Sequence, residues 1–131
     1  MPVTATPPVF TLEQLDAAPQ ALDRACREWG VFQLAGVRTP EFDALDGEAR
    51  AFFALPAAEK AKGERTARNA WGWFDRELTK NVRDWKEIFD VGPPERTGPL
   101  AGSEPQWPER PGGFREAVQA ATERFEVLSR R

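Results

Sequence analysis

Between Asn69 and Gly92 the chain reads NAWGWFDRELTKNVRDWKEIFDVG. No other stretch constrains the fold as tightly. It holds three of the five tryptophans (Trp71, Trp73, Trp85) and two of the nine phenylalanines (Phe74, Phe89), spaced by charged residues. Its second half alternates, with Trp85, Glu87, Phe89 and Val91 on one side and Lys86, Ile88 and Asp90 on the other, which is the period of a strand. Its first half, with Gly72 between two tryptophans, predicts a turn or an exposed aromatic edge. Two uses of the stretch stand side by side: a half-buried strand with aromatic packing, or an aromatic wall beside a ligand.

The most restrictive count is zero: the 131 residues contain no histidine and no tyrosine. A histidine-based metal site, a Ser–His or Cys–His nucleophile pair and an imidazole base are therefore excluded within this sequence. Neither a catalytic residue nor a metal ligand is assigned. The formal charge of -3 offers no basic patch for nucleic acid. No apolar run is long enough for a bilayer, and the start, MPVTATPPVF, has neither the basic nor the apolar region of a secretory signal. One cysteine, Cys26, forms no internal disulfide, so a cytoplasmic location is expected. The length points to one domain.

Residues 1–9 read as an extended lead-in, with a short edge strand at Val9 and Phe10. Thr11 and Gln14 form a capping box for a short helix to about Ala17. Pro19 opens a second helix, whose stripe is Leu22, Cys26 and Trp29 and whose stop is Gly30. Cys26 is expected as a small core residue. Val31–Leu34 reads as a buried strand. Thr39 and Pro40 start a third helix carrying Phe42, Leu45, Ala49, Phe52 and Phe53. Leu55-Pro56 ends it, a short charged helical piece follows to Lys62, and residues 63–68 (GERTAR) are expected as a mobile polar loop. Residues 92–113 contain six prolines and five glycines. They predict a long irregular loop pinned at Trp107, or a partly disordered one. Phe114, Val118, Ala121, Phe125 and Leu128 then form the cleanest helical stripe. That helix is still in register at Arg131, which reads as a chain that was cut or that continues.

The order of these pieces resembles the N-terminal region of the iron(II)/2-oxoglutarate-dependent dioxygenases of the isopenicillin N synthase type. Four segments carry the resemblance: residues 21–37 (ALDRACREWGVFQLAGV), 52–60 (FFALPAAEK), 72–92 with its glycine–aromatic motif and DWKE run, and 105–125 (PQWPERPGGFREAVQAATERF). Together they cover most of residues 9–131. An Asn-His-Gly usual in the family after its first strand is Leu34-Ala35-Gly36 here. The family's iron and 2-oxoglutarate ligands lie in a C-terminal double-stranded β-helix, and none of them can be carried over to a numbered residue here.

The resemblance implies an α/β (α+β) fold over residues 1–131, with helices packed on a few short strands and without that barrel. It also implies a small-molecule substrate. Arg68, Asn69, Trp71, Trp73 and Phe74 would lie on the substrate side, with the indole N–H of Trp73 standing where a tyrosine hydroxyl is common. Arg68 and Arg83 are each readable as carboxylate partners or as solvated arginines. Asp84 and Glu87 read as surface or salt-bridging carboxylates rather than metal ligands. Trp85, Phe89, Val118 and Phe125 would face a missing or separate catalytic barrel, or a second copy. Fe(II) and 2-oxoglutarate would belong to the full-length protein, leaving this chain inactive alone. The alternative is a stand-alone binding or interaction module that keeps this fold, with the aromatic stretch and the proline loop forming its site.

Overall fold

The computed structural model describes residues 6–130. The first five residues of the expected lead-in, and Arg131, lie outside it. Strand β1 (Val9–Phe10) leads into helices α1 (Leu12–Ala17) and α2 (Pro19–Trp29), and strand β2 (Gln33–Leu34) returns beside β1. The two strands are parallel, with Val9 opposite Gln33 and Phe10 opposite Leu34. The expected capping box is present at both ends, Thr11 Oγ1 accepting from the Gln14 amide at 3.2 Å and Gln14 Oε1 accepting from the Thr11 amide at 2.8 Å. Gly30 ends α2 at φ 68°, donating to the Cys26 carbonyl.

Two expectations shift in this N-terminal unit. The buried residue of α2 is Ala25, and Cys26 is exposed. Cys26 sits one helical step round from Ala25, and the buried face of α2 is centred on the smaller residue. The strand read over Val31–Leu34 shrinks to Gln33–Leu34, and Val31 is exposed.

Helices α3 (Pro40–Phe53) and α5 (Phe114–Ser129) form the body. They run antiparallel, since Phe42 meets Phe125 at 4.7 Å at one end and Phe52 meets Phe114 at 4.9 Å at the other. Ala117 and Ala121 are buried and let the helices approach. The expected α5 stripe is thus present but turned slightly, with Phe125 reaching only the edge of the contact and remaining 57% exposed.

Between the helices lie α4 (Ala57–Lys60), a 3₁₀ turn at Ala61–Gly63, and strands β3 (Gly72–Phe74), β4 (Leu78–Thr79), β5 (Val82–Arg83) and β6 (Ile88–Asp90). β3 and β6 pair antiparallel, with Trp73 opposite Phe89. Those two rings turn inward, and Phe52, Trp73 and Phe114 form the centre of the core, surrounded by Leu55, Phe89, Trp107 and Val118. Phe89 lies 5.1 Å from Phe52 and 5.0 Å from Phe114. Of the residues expected to face a barrel, Phe89 and Val118 therefore pack within this chain.

Trp85 departs from the expected strand. It precedes β6 and is 86% exposed. The β4–β5 hairpin turns at Lys80 and Asn81, both at positive φ (52° and 61°), and the chain leaves it with the Asp84 amide bonded to the Glu77 carbonyl at 2.8 Å. That geometry delivers Glu87 and Phe89 inward and leaves Trp85 outside, under the Arg83 guanidinium at 5.0 Å.

Candidate functional site

Residues 63–74 were expected as a mobile loop followed by an aromatic edge, and they are tied down along their length. The Arg65 amide donates to the Trp73 carbonyl at 3.0 Å, and the Thr66 and Asn69 backbones close a tight turn at 2.9 and 3.2 Å. The Arg65 guanidinium reaches Asp90 at 2.7 Å and Glu77 at 3.3 Å, and lies 4.1 Å from the centre of the Phe74 ring. Arg76 approaches Phe74 at 5.3 Å and pairs with Glu64. The outer face of the β3–β6 pair is thus covered by an arginine held between two carboxylates.

The proline-rich segment completes the anchoring. Asn69 Nδ2 donates to the Glu104 carbonyl at 3.0 Å, and the fully buried Ser103 accepts from the Ala70 amide at 3.1 Å through its Oγ. Gln106 Nε2 donates to the carbonyls of Glu64 at 2.9 Å and Trp71 at 2.6 Å. Trp71 Nε1 donates to the Pro93 carbonyl at 3.1 Å. The segment keeps no regular structure, as expected, and its order comes from side chains that satisfy backbone groups in place of a ladder.

The five substrate-side candidates divide accordingly. Arg68 sits at the loop apex with an exposed side chain whose guanidinium has no ion-pair partner among the described residues; its backbone is held by Thr66 Oγ1 at 3.2 Å. Asn69 and Trp71 lie beside Arg68 with their polar atoms committed to the frame. Phe74 is on the outer sheet face. Trp73 is 3% exposed and turned into the core. Its indole N–H donates to Glu87 Oε2 at 3.2 Å, so it presents no donor to this surface.

Lys60 joins that inner contact. It is 5% exposed, and its ammonium donates to Glu87 Oε2 at 2.6 Å and to the Phe53 carbonyl at 3.1 Å, 5.7 Å from the Trp73 ring. The Lys60 hydrogen bond holds the Glu87 carboxyl below the usual glutamate range, with Trp73 adding to the effect and burial opposing it. Glu87 was read correctly as a salt-bridging carboxylate. Lys60 and Arg65 were not singled out. Their signal was faint: Lys60 closes the FFALPAAEK run, while Arg65 sits in a polar loop with no periodicity to mark it.

Beside this frame, a cleft of about 590 Å³ opens between Val91–Pro94, Trp107 and the α5 residues Arg115, Val118 and Thr122. Trp71 backs its wall: a Cβ on Gly92 would lie 2.5 Å from the Trp71 ring. A second, apolar groove of about 820 Å³ separates the N-terminal unit (Leu15, Leu22, Leu34) from Phe42, Phe125 and Leu128. Both are of small-molecule size. Among the described residues no three His, Cys, Asp or Glu side chains converge as a metal site. No helix among them is long and apolar enough to cross a membrane.

Comparison with known proteins identifies the architecture. Residues 2–110 match the family model described as non-haem dioxygenase in morphine synthesis N-terminal. The chain is 31% identical over 132 residues to a naringenin,2-oxoglutarate 3-dioxygenase of Hordeum vulgare, covering 93% of this chain and 34% of that protein. It is 32% identical over 113 residues to a codeine O-demethylase of Papaver somniferum (82% and 30%), and 30% identical over 123 residues to a homoarginine-6-hydroxylase of Arabidopsis thaliana (86% and 37%). The chain thus spans about a third of the length of the relatives it matches. With an anchored glycine–aromatic motif, a short mixed sheet system and an antiparallel helix pair in the expected order, the chain belongs to the N-terminal family of the non-haem, 2-oxoglutarate-dependent dioxygenases.

Proposed function

We propose that this chain is the N-terminal domain, residues 1–131, of an Fe(II)- and 2-oxoglutarate-dependent oxidoreductase that acts on a small molecule in the cytoplasm, and that it is inactive alone. The observation that carries the reading is the family match over residues 2–110 together with relatives named as 2-oxoglutarate dioxygenases, of which this chain spans about a third. Iron and 2-oxoglutarate would be held by the remaining two thirds. The domain's part is to shape one side of the substrate space: the anchored loop presents Arg68, an exposed cation able to pair with a substrate carboxylate or hydrogen-bond a carbonyl. Asn69 and Trp71 hold that loop, and Trp73 and Glu87 support it from within. The relatives' names span naringenin, codeine and homoarginine, so the family match leaves the substrate class open.

The test is Fe(II)-dependent release of carbon dioxide from 2-oxoglutarate by the pure 131-residue chain, alongside the intact mass of the native polypeptide from its source cells. The expected results are no turnover and a mass well above 14.7 kDa. Turnover by the short chain would end the claim of inactivity. A native mass of 14.7 kDa would favour the second reading, a stand-alone binding module, whose support is that Phe52, Trp73 and Phe114 already form a core within this chain.

A further inference from the structure

We draw no further inference here: the strongest candidate, the cleft of about 590 Å³ between residues 91–94, Trp107 and α5, is rimmed by Glu104, Glu123 and Glu126 with Arg115 over the Trp107 ring, and nothing in the structure shows whether a small molecule, a second copy of the chain or the rest of a longer polypeptide covers it.

Discussion

Two glycines show how little room the anchored loop leaves. Gly72 has φ 125°, and a Cβ there would collide with the Gly63 carbonyl oxygen and stand 2.9 Å from Gln106 Nε2. The carbonyl belongs to the backbone and cannot swing aside, so Gly72→Ala combines backbone strain with displacement of the 63–65 segment. A loss of more than about 2 kcal/mol is expected, read as a lowered urea midpoint. An unchanged midpoint would show that the loop gives way. The Lys60–Glu87 contact offers a second residue-scale prediction. Glu87→Gln leaves the Lys60 ammonium buried without its carboxylate. Because the Glu87 side chain is 38% exposed, the expected cost at neutral pH is about 1–2 kcal/mol, below the cost of breaking a fully buried pair. Lys60→Met removes the buried charge itself and should cost less. The sign of the pH dependence follows from the depressed Glu87 carboxyl. Its stabilisation is fully present above the ordinary glutamate pKa and is lost as pH falls through the folded value, so the gap between wild type and Glu87→Gln should close in that acid window. A gap that stays constant down to the acid transition would exclude Glu87 as its source.

At the scale of elements, the helices and the edge strand at Val9–Phe10 were legible, and the bounds of the later strands were not. The capping box at Thr11, the stop at Gly30, the proline start of α3 and the stripe of α5 are local signals, and each appears where its chemistry places it. What escaped was decided by tertiary contact. Cys26 and Ala25 are neighbours on α2, and periodicity does not say which of them the fold buries. Trp85 alternates correctly with Glu87 and Phe89, yet the hairpin at Lys80–Asn81 rotates the chain before β6 begins. In the candidate site, Asn69 and Trp71 were singled out through their motif, whereas Arg65 and Gln106 act through partners 25 and 42 residues away, beyond any local pattern. The α3–α5 contact supplies the element-scale prediction. Ala121 is 1% exposed where the two helices approach. Ala121→Leu forces them apart and should cost about 1–3 kcal/mol, read by thermal or urea unfolding. A neutral result would mean that the Phe42–Phe125 end opens without penalty.

For the whole molecule, the core is unevenly distributed. Phe52, Trp73 and Phe114, with Phe89 and Trp107 around them, lie in the part built from α3, α4, β3, β6 and α5. In the N-terminal unit of β1, α1, α2 and β2, the one buried side chain among the described residues is Ala25, and the apolar groove of about 820 Å³ separates this unit from α3 and α5. Local opening free energy follows buried apolar contact, so the two parts should not open together. Native-state hydrogen exchange makes this measurable. The amides of Gln33 and Ala35, which donate to the carbonyls of Pro8, just before the first strand, and of Phe10 within it, should exchange through a low-energy opening insensitive to Ala121→Leu. Amides in the middle of α3 and α5 should exchange only through global unfolding and should lose protection in that variant. Equal protection in both parts would show that the groove closes into a single cooperative core. Protection of Gln33 and Ala35 that rises when the rest of a full-length protein is present would identify that polypeptide as what fills the groove.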